Sequence, residues 1–153
     1  MRHRSFLLLL LFAAFAASCK DEYDTDQFTG KYYYEETGSI RQIQQGAVLQ
    51  EYTQHRYGDL RVSGYNGKMT AIFTSSTDRE EKHEYITSGS EFRANYTTDV
   101  QLDDMIFTDI SVREIGYKDV DTLFIRVYLD GVYESGLNRG FIEGERTIRA
   151  VKK

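Results

Sequence analysis

Beyond Gly30 the sequence alternates apolar and polar residues with a period of two, and no window holds apolar residues at the spacing of an amphipathic helix. Successive side chains of a strand point to opposite faces, so this pattern makes strands with one wet side and one dry side. The domain is therefore expected to be all-β. Its clearest unit runs from Asp59 to Ser75. There Leu60 and Val62 alternate with Arg61 and Ser63, Asn66-Gly67 offers the positive φ angles of a tight turn, and Met69, Ala71 and Phe73 resume the alternation. That is a β-hairpin. Gly30 to Glu36, Val48 to His55, Lys82 to Thr87, Glu91 to Thr98, Asp103 to Glu114, Thr122 to Leu129 and Glu145 to Val151 read as further strands between clusters of Gly, Ser, Asp and Asn. Ser39 to Gln45 fits a strand or a helical turn. Eight or nine strands result.

So many strands in a chain of 153 residues must manage their edges. Closure into an antiparallel barrel is the first expectation and a two-sheet sandwich the second. The segment Phe28-Thr29-Gly30-Lys31-Tyr32 resembles the opening Gly-x-Trp strand of lipocalins and their calycin relatives, with Tyr32 in the Trp position. The resemblance implies a barrel that encloses a ligand, with a basic residue of the last strand, Arg146 or Arg149, covering the aromatic. A transmembrane barrel is not expected, because the strands lack an apolar outward band and the chain ends in Lys152-Lys153.

The N-terminus has a separate character. Arg2 and Arg4 precede an apolar run of 12 residues, Phe6 to Ala17, which is the pattern of a secretory signal peptide and is too short to span a bilayer. Ala16-Ala17-Ser18-Cys19 resembles the bacterial lipoprotein box, which implies a signal peptide over 1–18 and lipid attachment at Cys19. Cys19 is the one cysteine of the chain, so no internal disulfide or zinc ribbon is available. Of the eight side chains after Cys19, Lys20 to Gln27, four are acidic and none is aliphatic, so residues 19–27 read as a solvated tether to a single β domain over 28–153. The start Cys19-Lys20-Asp21-Glu22 resembles the acidic export signal of Bacteroidota lipoproteins. That resemblance implies display on the outer face of the outer membrane, with Lys20, Asp21 and Glu22 as the signal.

Loss of residues 1–18 removes Arg2 and Arg4 from the 19 basic side chains and none of the 24 acidic ones, leaving a formal charge of -7. Such a field repels phosphate backbones, and nucleic acid is not an expected partner. His55 and His83 sit in polar, strand-like settings and read as solvated surface side chains. The carboxylate pairs Glu35-Glu36, Glu80-Glu81 and Asp103-Asp104 fall on opposite faces of a strand or in turns, which does not suit glycoside hydrolysis. Asp119-Val120-Asp121 lacks the run of oxygen ligands of a calcium loop. No metal or other cofactor is implied.

Aromatic residues are the informative excess, with twelve Tyr. Tyr32 and Tyr34 share one strand face. In the late strand Leu123, Ile125, Val127 and Leu129 form a core row, and Phe124, Arg126 and Tyr128 form the other. That second row reads either as a pocket wall or as a solvated outer face. Tyr32, Tyr34, Arg126 and Tyr128 are the candidate ligand-binding residues. Asp121-Thr122-Leu123 also resembles the O-glycosylation acceptor of Bacteroidota. The expected function is that of a membrane-anchored surface lipoprotein whose β domain binds a small ligand, a glycan or an envelope protein. The alternatives are a non-catalytic accessory component of an outer-membrane complex and, last, a hydrolase.

Overall fold

A computed structural model describes residues 25–135 and 138–153. Cys19, Lys20, Asp21 and Glu22 lie outside the described residues, as does the expected signal peptide. Eight antiparallel strands among the described residues close into one barrel in chain order. They are β1 (Gly30–Gln44), β2 (Ala47–Tyr65), β3 (Lys68–Ser75), β4 (Glu80–Ser88), β5 (Glu91–Leu102), β6 (Met105–Asp119), β7 (Thr122–Ser135) and β8 (Asn138–Lys152). No helix among the described residues is long and apolar enough to cross a membrane.

Closure is made by β1, which pairs with β2 from Gly30↔Val62 to Gln44↔Ala47 and with β8 from Tyr32↔Lys152 to Gln44↔Gly140. The ring excludes the sandwich. Asn66 and Gly67 turn the β2–β3 hairpin at φ 48° and 75°, as the sequence predicts. Of the two readings of Ser39 to Gln45, the strand holds through Gln44, which continues β1 because Ile40 and Gln42 keep the inward alternation. One boundary differs from expectation. Val48 to His55 and Asp59 to Tyr65 are halves of the single strand β2. Gly58 joins them, and a Cβ there would lie 2.0 Å from the Thr74 carbonyl oxygen, so only glycine allows β3 to approach this closely.

The interior has three layers. At the lower end a 3-10 turn, Asp26–Phe28, folds under the barrel, and Phe28 meets Phe92 edge-on at 5.4 Å. Thr25, expected within the tether, is buried beside Gly64 and packs with the barrel. Tyr32, Leu60, Tyr85 and Leu123 complete this layer, each burial contributing about 1.5–3 kcal/mol. At the upper end Ile40, Leu102, Phe107, Ile110 and Ile142 form a second apolar layer. Between the two lies a layer of ionised and polar side chains.

The wall is incomplete at that middle level. β3 pairs with β2 only over Gly58–Tyr65, and β4 pairs with β5 only through Ile86↔Arg93, Thr87↔Phe92 and Ser88↔Glu91. The short β3–β4 hairpin stops below its neighbours, and a window opens above it between β2 and β5. Overhead, Gln50 Nε2 donates to Asp103 at 3.4 Å and bridges the two strands.

Candidate functional site

Strand parity places the charges of the middle layer inside. Glu36 follows Tyr32 and Tyr34 on the inward row of β1, Arg56 is inward on β2, Glu81 and His83 on β4, Glu114 on β6 and Arg146 on β8. Glu36 is 1% exposed. A buried carboxylate requires ionic partners, and it has two. Arg56 Nε donates to its Oε2 at 2.8 Å, and Arg146 Nη1 donates to its Oε1 at 2.5 Å. Arg56 also holds Glu81 through Nη1 and Nη2 at 3.0 and 3.4 Å, and Arg79 Nε stands 3.5 Å from the same carboxylate. Arg146, Glu36, Arg56, Glu81 and Arg79 thus form one run of alternating sign. Gly38 makes room for it, since the Arg146 Cγ passes 2.9 Å from where a Cβ at Gly38 would sit.

Burial pulls the Arg56 pKa down, but Glu36 and Glu81 outweigh it and hold the guanidinium above its ordinary value. Burial likewise pushes the Glu81 carboxyl up, and the hydrogen bonds and charge of Arg56 bring it below the usual range. Both groups are ionised at neutral pH. The Nε of Arg146 is buried with no hydrogen-bond partner.

A second cluster joins this run on the β4–β5 side. Glu114 is 0% exposed and accepts from Tyr96 at 2.6 Å and from Tyr85, while its Oε1 lies 2.9 Å from His83 Nδ1. Burial pushes the Glu114 pKa up, but the hydrogen bond and charge of His83 and the two phenols lower it on balance. Tyr85 and Tyr96 titrate well above an ordinary phenol, first because they are buried and then because Glu114 is charged beside them. They serve as hydrogen-bond donors. His83 is therefore an interior side chain, and the expectation of a solvated surface residue is corrected for it. His55 does lie outside, 2.9 Å from Glu35.

The window leads into this layer through a cleft of about 630 Å³. Its lining includes Arg56, Glu81, His83, Tyr96 and Arg146 from the inward rows, and also Lys82 and Asp99, which point outward on β4 and β5. A cleft lined from both faces of the wall passes through the wall. Its volume falls in the range of ligand sites. Among the described residues no cluster of His, Cys, Asp or Glu has the geometry to hold a metal ion.

The four residues expected to bind ligand do not come together. Tyr32 is fully buried and its hydroxyl donates to the Phe28 carbonyl at 2.7 Å, and Tyr34 packs edge-on against Phe73 at 5.1 Å. Both are core. Arg126 and Tyr128 lie on the outer face, where the Arg113 guanidinium sits 4.9 Å from the centre of the Tyr128 ring. The solvated reading of that row is the one the structure has. The basic neighbour expected over Tyr32 also differs. Arg146 turns to Glu36, Arg149 is exposed, and the Lys152 side chain lies over Gly30 beside Tyr32. Glu36 lies within a strand as expected, and Glu81, expected just before one, lies within β4.

No protein-family model matches the chain, and no curated protein matches it.

Proposed function

We propose that this chain is a lipid-anchored surface protein whose lipocalin-like barrel binds a polar ligand at the window and the charged layer behind it. The supporting observation is the position of the charges. Ionised groups placed between two apolar layers cost several kcal/mol of desolvation each, and well-packed apolar residues of similar volume often stabilise more. A barrel selected only for stability would fill this layer with aliphatic side chains. Here the Arg146-to-Arg79 run and the Glu114 cluster stand beside an open cleft, and they offer fixed donors and acceptors to a polar guest. The phenols beside Glu114 are held protonated and are poor nucleophiles, which favours binding over catalysis.

The orientation agrees with an anchor at Cys19. The described chain enters the barrel at Thr25, at the lower end, so a lipid a few residues upstream keeps that end toward the bilayer. The window belongs to the upper half and faces the medium. Outward residues, including Glu35, Arg61, Lys82, Arg113 and Arg149, are charged and suit an aqueous surface.

The test is isolation of the protein from its own host after mild crosslinking, beside a Thr98→Trp variant that fills the window at an exposed rim position. Mass spectrometry should find a molecule retained by the native protein and lost from the variant. Equal retention by both would overturn the assignment.

A further inference from the structure

We propose that the window is a strand-addition site, which recognises an extended polypeptide segment of a partner protein through its backbone and takes an acidic side chain of that segment into the charged layer. The inference rests on the window being the binding site and names what occupies it.

The backbone carries the first part of the argument. Around most of the barrel each strand is paired on both sides, and where the β6–β7 seam is unpaired beyond Ser111↔Asp130, Phe107 packs edge-on against Tyr133 at 5.2 Å across it. At the window three runs lack a paired neighbour among the described residues: β2 before Gly58 on its β3 side, β4 before Ile86, and β5 after Arg93. All three are extended, so each presents a row of amide N–H and C=O groups to the opening. An extended segment is the ligand whose own groups match such a row, while pockets for alternate side chains supply specificity. Laid along β5 from Ala94, a guest of about six residues spans about 20 Å.

The side chains carry the second part. Alternate residues of a guest strand point through the wall, and those between them point to solvent. The outward ones meet Lys82 and Asp99 on the rim. The inward ones face Arg56, Arg79 and Glu81 beside His83 and Tyr96, with Arg146 behind. Glu81 is occupied by Arg56, and His83 is turned to Glu114. The alternating run begins at Arg146 and ends at Arg79, so it contains three guanidinium groups and two carboxylates. Arg146 keeps an unpartnered Nε, and Arg79 is largely exposed at the rim. An inward Asp or Glu of the guest is placed to accept from these two groups.

The experiment is selection of random linear peptides on the intact mature barrel, with Thr98→Trp as the blocked control, followed by N-methylation of the selected peptide one backbone amide at a time. Enriched peptides should carry an acid at a fixed place in an alternating pattern. Methylation of amides of one parity should weaken binding by about tenfold, the scale of one or two lost hydrogen bonds, and methylation of the other parity should do little. Amide hydrogen exchange of β5 from 94 to 101 should slow in the complex. Failure of any peptide to prefer the native barrel over the blocked one, or an effect of methylation indifferent to parity, would overturn strand addition. A small molecule recovered from the host protein and lost from Thr98→Trp, with no peptide selected, would also overturn it while leaving the binding role in place.

Discussion

Arg56 joins two carboxylates that belong to different strands, holding Glu36 of β1 with its Nε at 2.8 Å and Glu81 of β4 with its Nη1 at 3.0 Å. Glu36 and Arg56 are register partners in the β1–β2 ladder, but β3 and β4 stop short at this height, so the guanidinium ties β2 to β4 where the backbone does not. The polar layer is part of the wall as well as its lining.

Removal of the shared anion should therefore be severe. Glu36→Ala leaves Arg146 inside the barrel without its anion and half-buried Arg56 with Glu81 alone, and a cost of about 3 kcal/mol is expected in urea unfolding. Exchanging the acid and Arg146 together, as Glu36→Leu with Arg146→Met, should recover much of that loss. Recovery no better than the single variant would show that the network stabilises beyond its charges.

Stability should fall in acid. Glu114 and Glu81 both titrate below the ordinary 4.5 when folded. A depressed carboxylate adds stability above its unfolded pKa and loses it as the pH drops through the folded value. Unfolding free energy should thus hold steady from pH 7 to about 5 and decline below about 4.5. Glu114→Gln should cost about 2 kcal/mol at pH 7 and decline less steeply in acid, because it has no proton to take up. Parallel slopes for the two proteins would contradict the placement of Glu114.

Tyr32 and Arg126 should separate cleanly. Tyr32→Phe deletes the hydrogen bond to Phe28 that fastens the lower plug, at about 1 kcal/mol. Arg126→Ala, on the outer face, should stay within about 0.5 kcal/mol. Equal losses in thermal unfolding would mean that the two side chains are not on opposite sides of the wall.

One substitution should stabilise. Val120, in the β6–β7 turn, is 80% exposed and has φ 50°, a conformation that strains a β-branched residue by about 1–2 kcal/mol. Val120→Gly relieves the strain and gives back part of the gain as chain entropy, for a net of roughly 1 kcal/mol and about 3 °C in melting temperature. An unchanged or lower melting temperature would refute the strain.

The period of two makes the all-β fold and its inward rows legible, and Asn66-Gly67 marks its turn. Strand limits are less legible, since Gly58 looks like a break and is a point of close approach between strands. The site was present in the same alternation. Tyr32, Tyr34 and Glu36 share a parity, as do Glu81, His83 and Tyr85, so the rule that places the aromatics inside places the charges inside too. Polarity suggests the surface for Glu36 and His83, and packing overrides it because each finds a partner across the barrel. The window leaves no trace in any single strand. It arises from the difference in reach between the β3–β4 hairpin and its neighbours, which exists only once the sheet has curled.

Seven of the junctions in the ring join strands adjacent in sequence, and the eighth joins the first strand to the last. A chain that emerges from its N-terminus makes β1 first of the eight strands and β8 last, so one flank of β1 waits bare until the other seven have formed. Such distant closure is intrinsically slow. A nascent molecule is thus most open to mispairing along the bare flank of its first strand, and whatever guards it until closure has to cover that strand rather than the last.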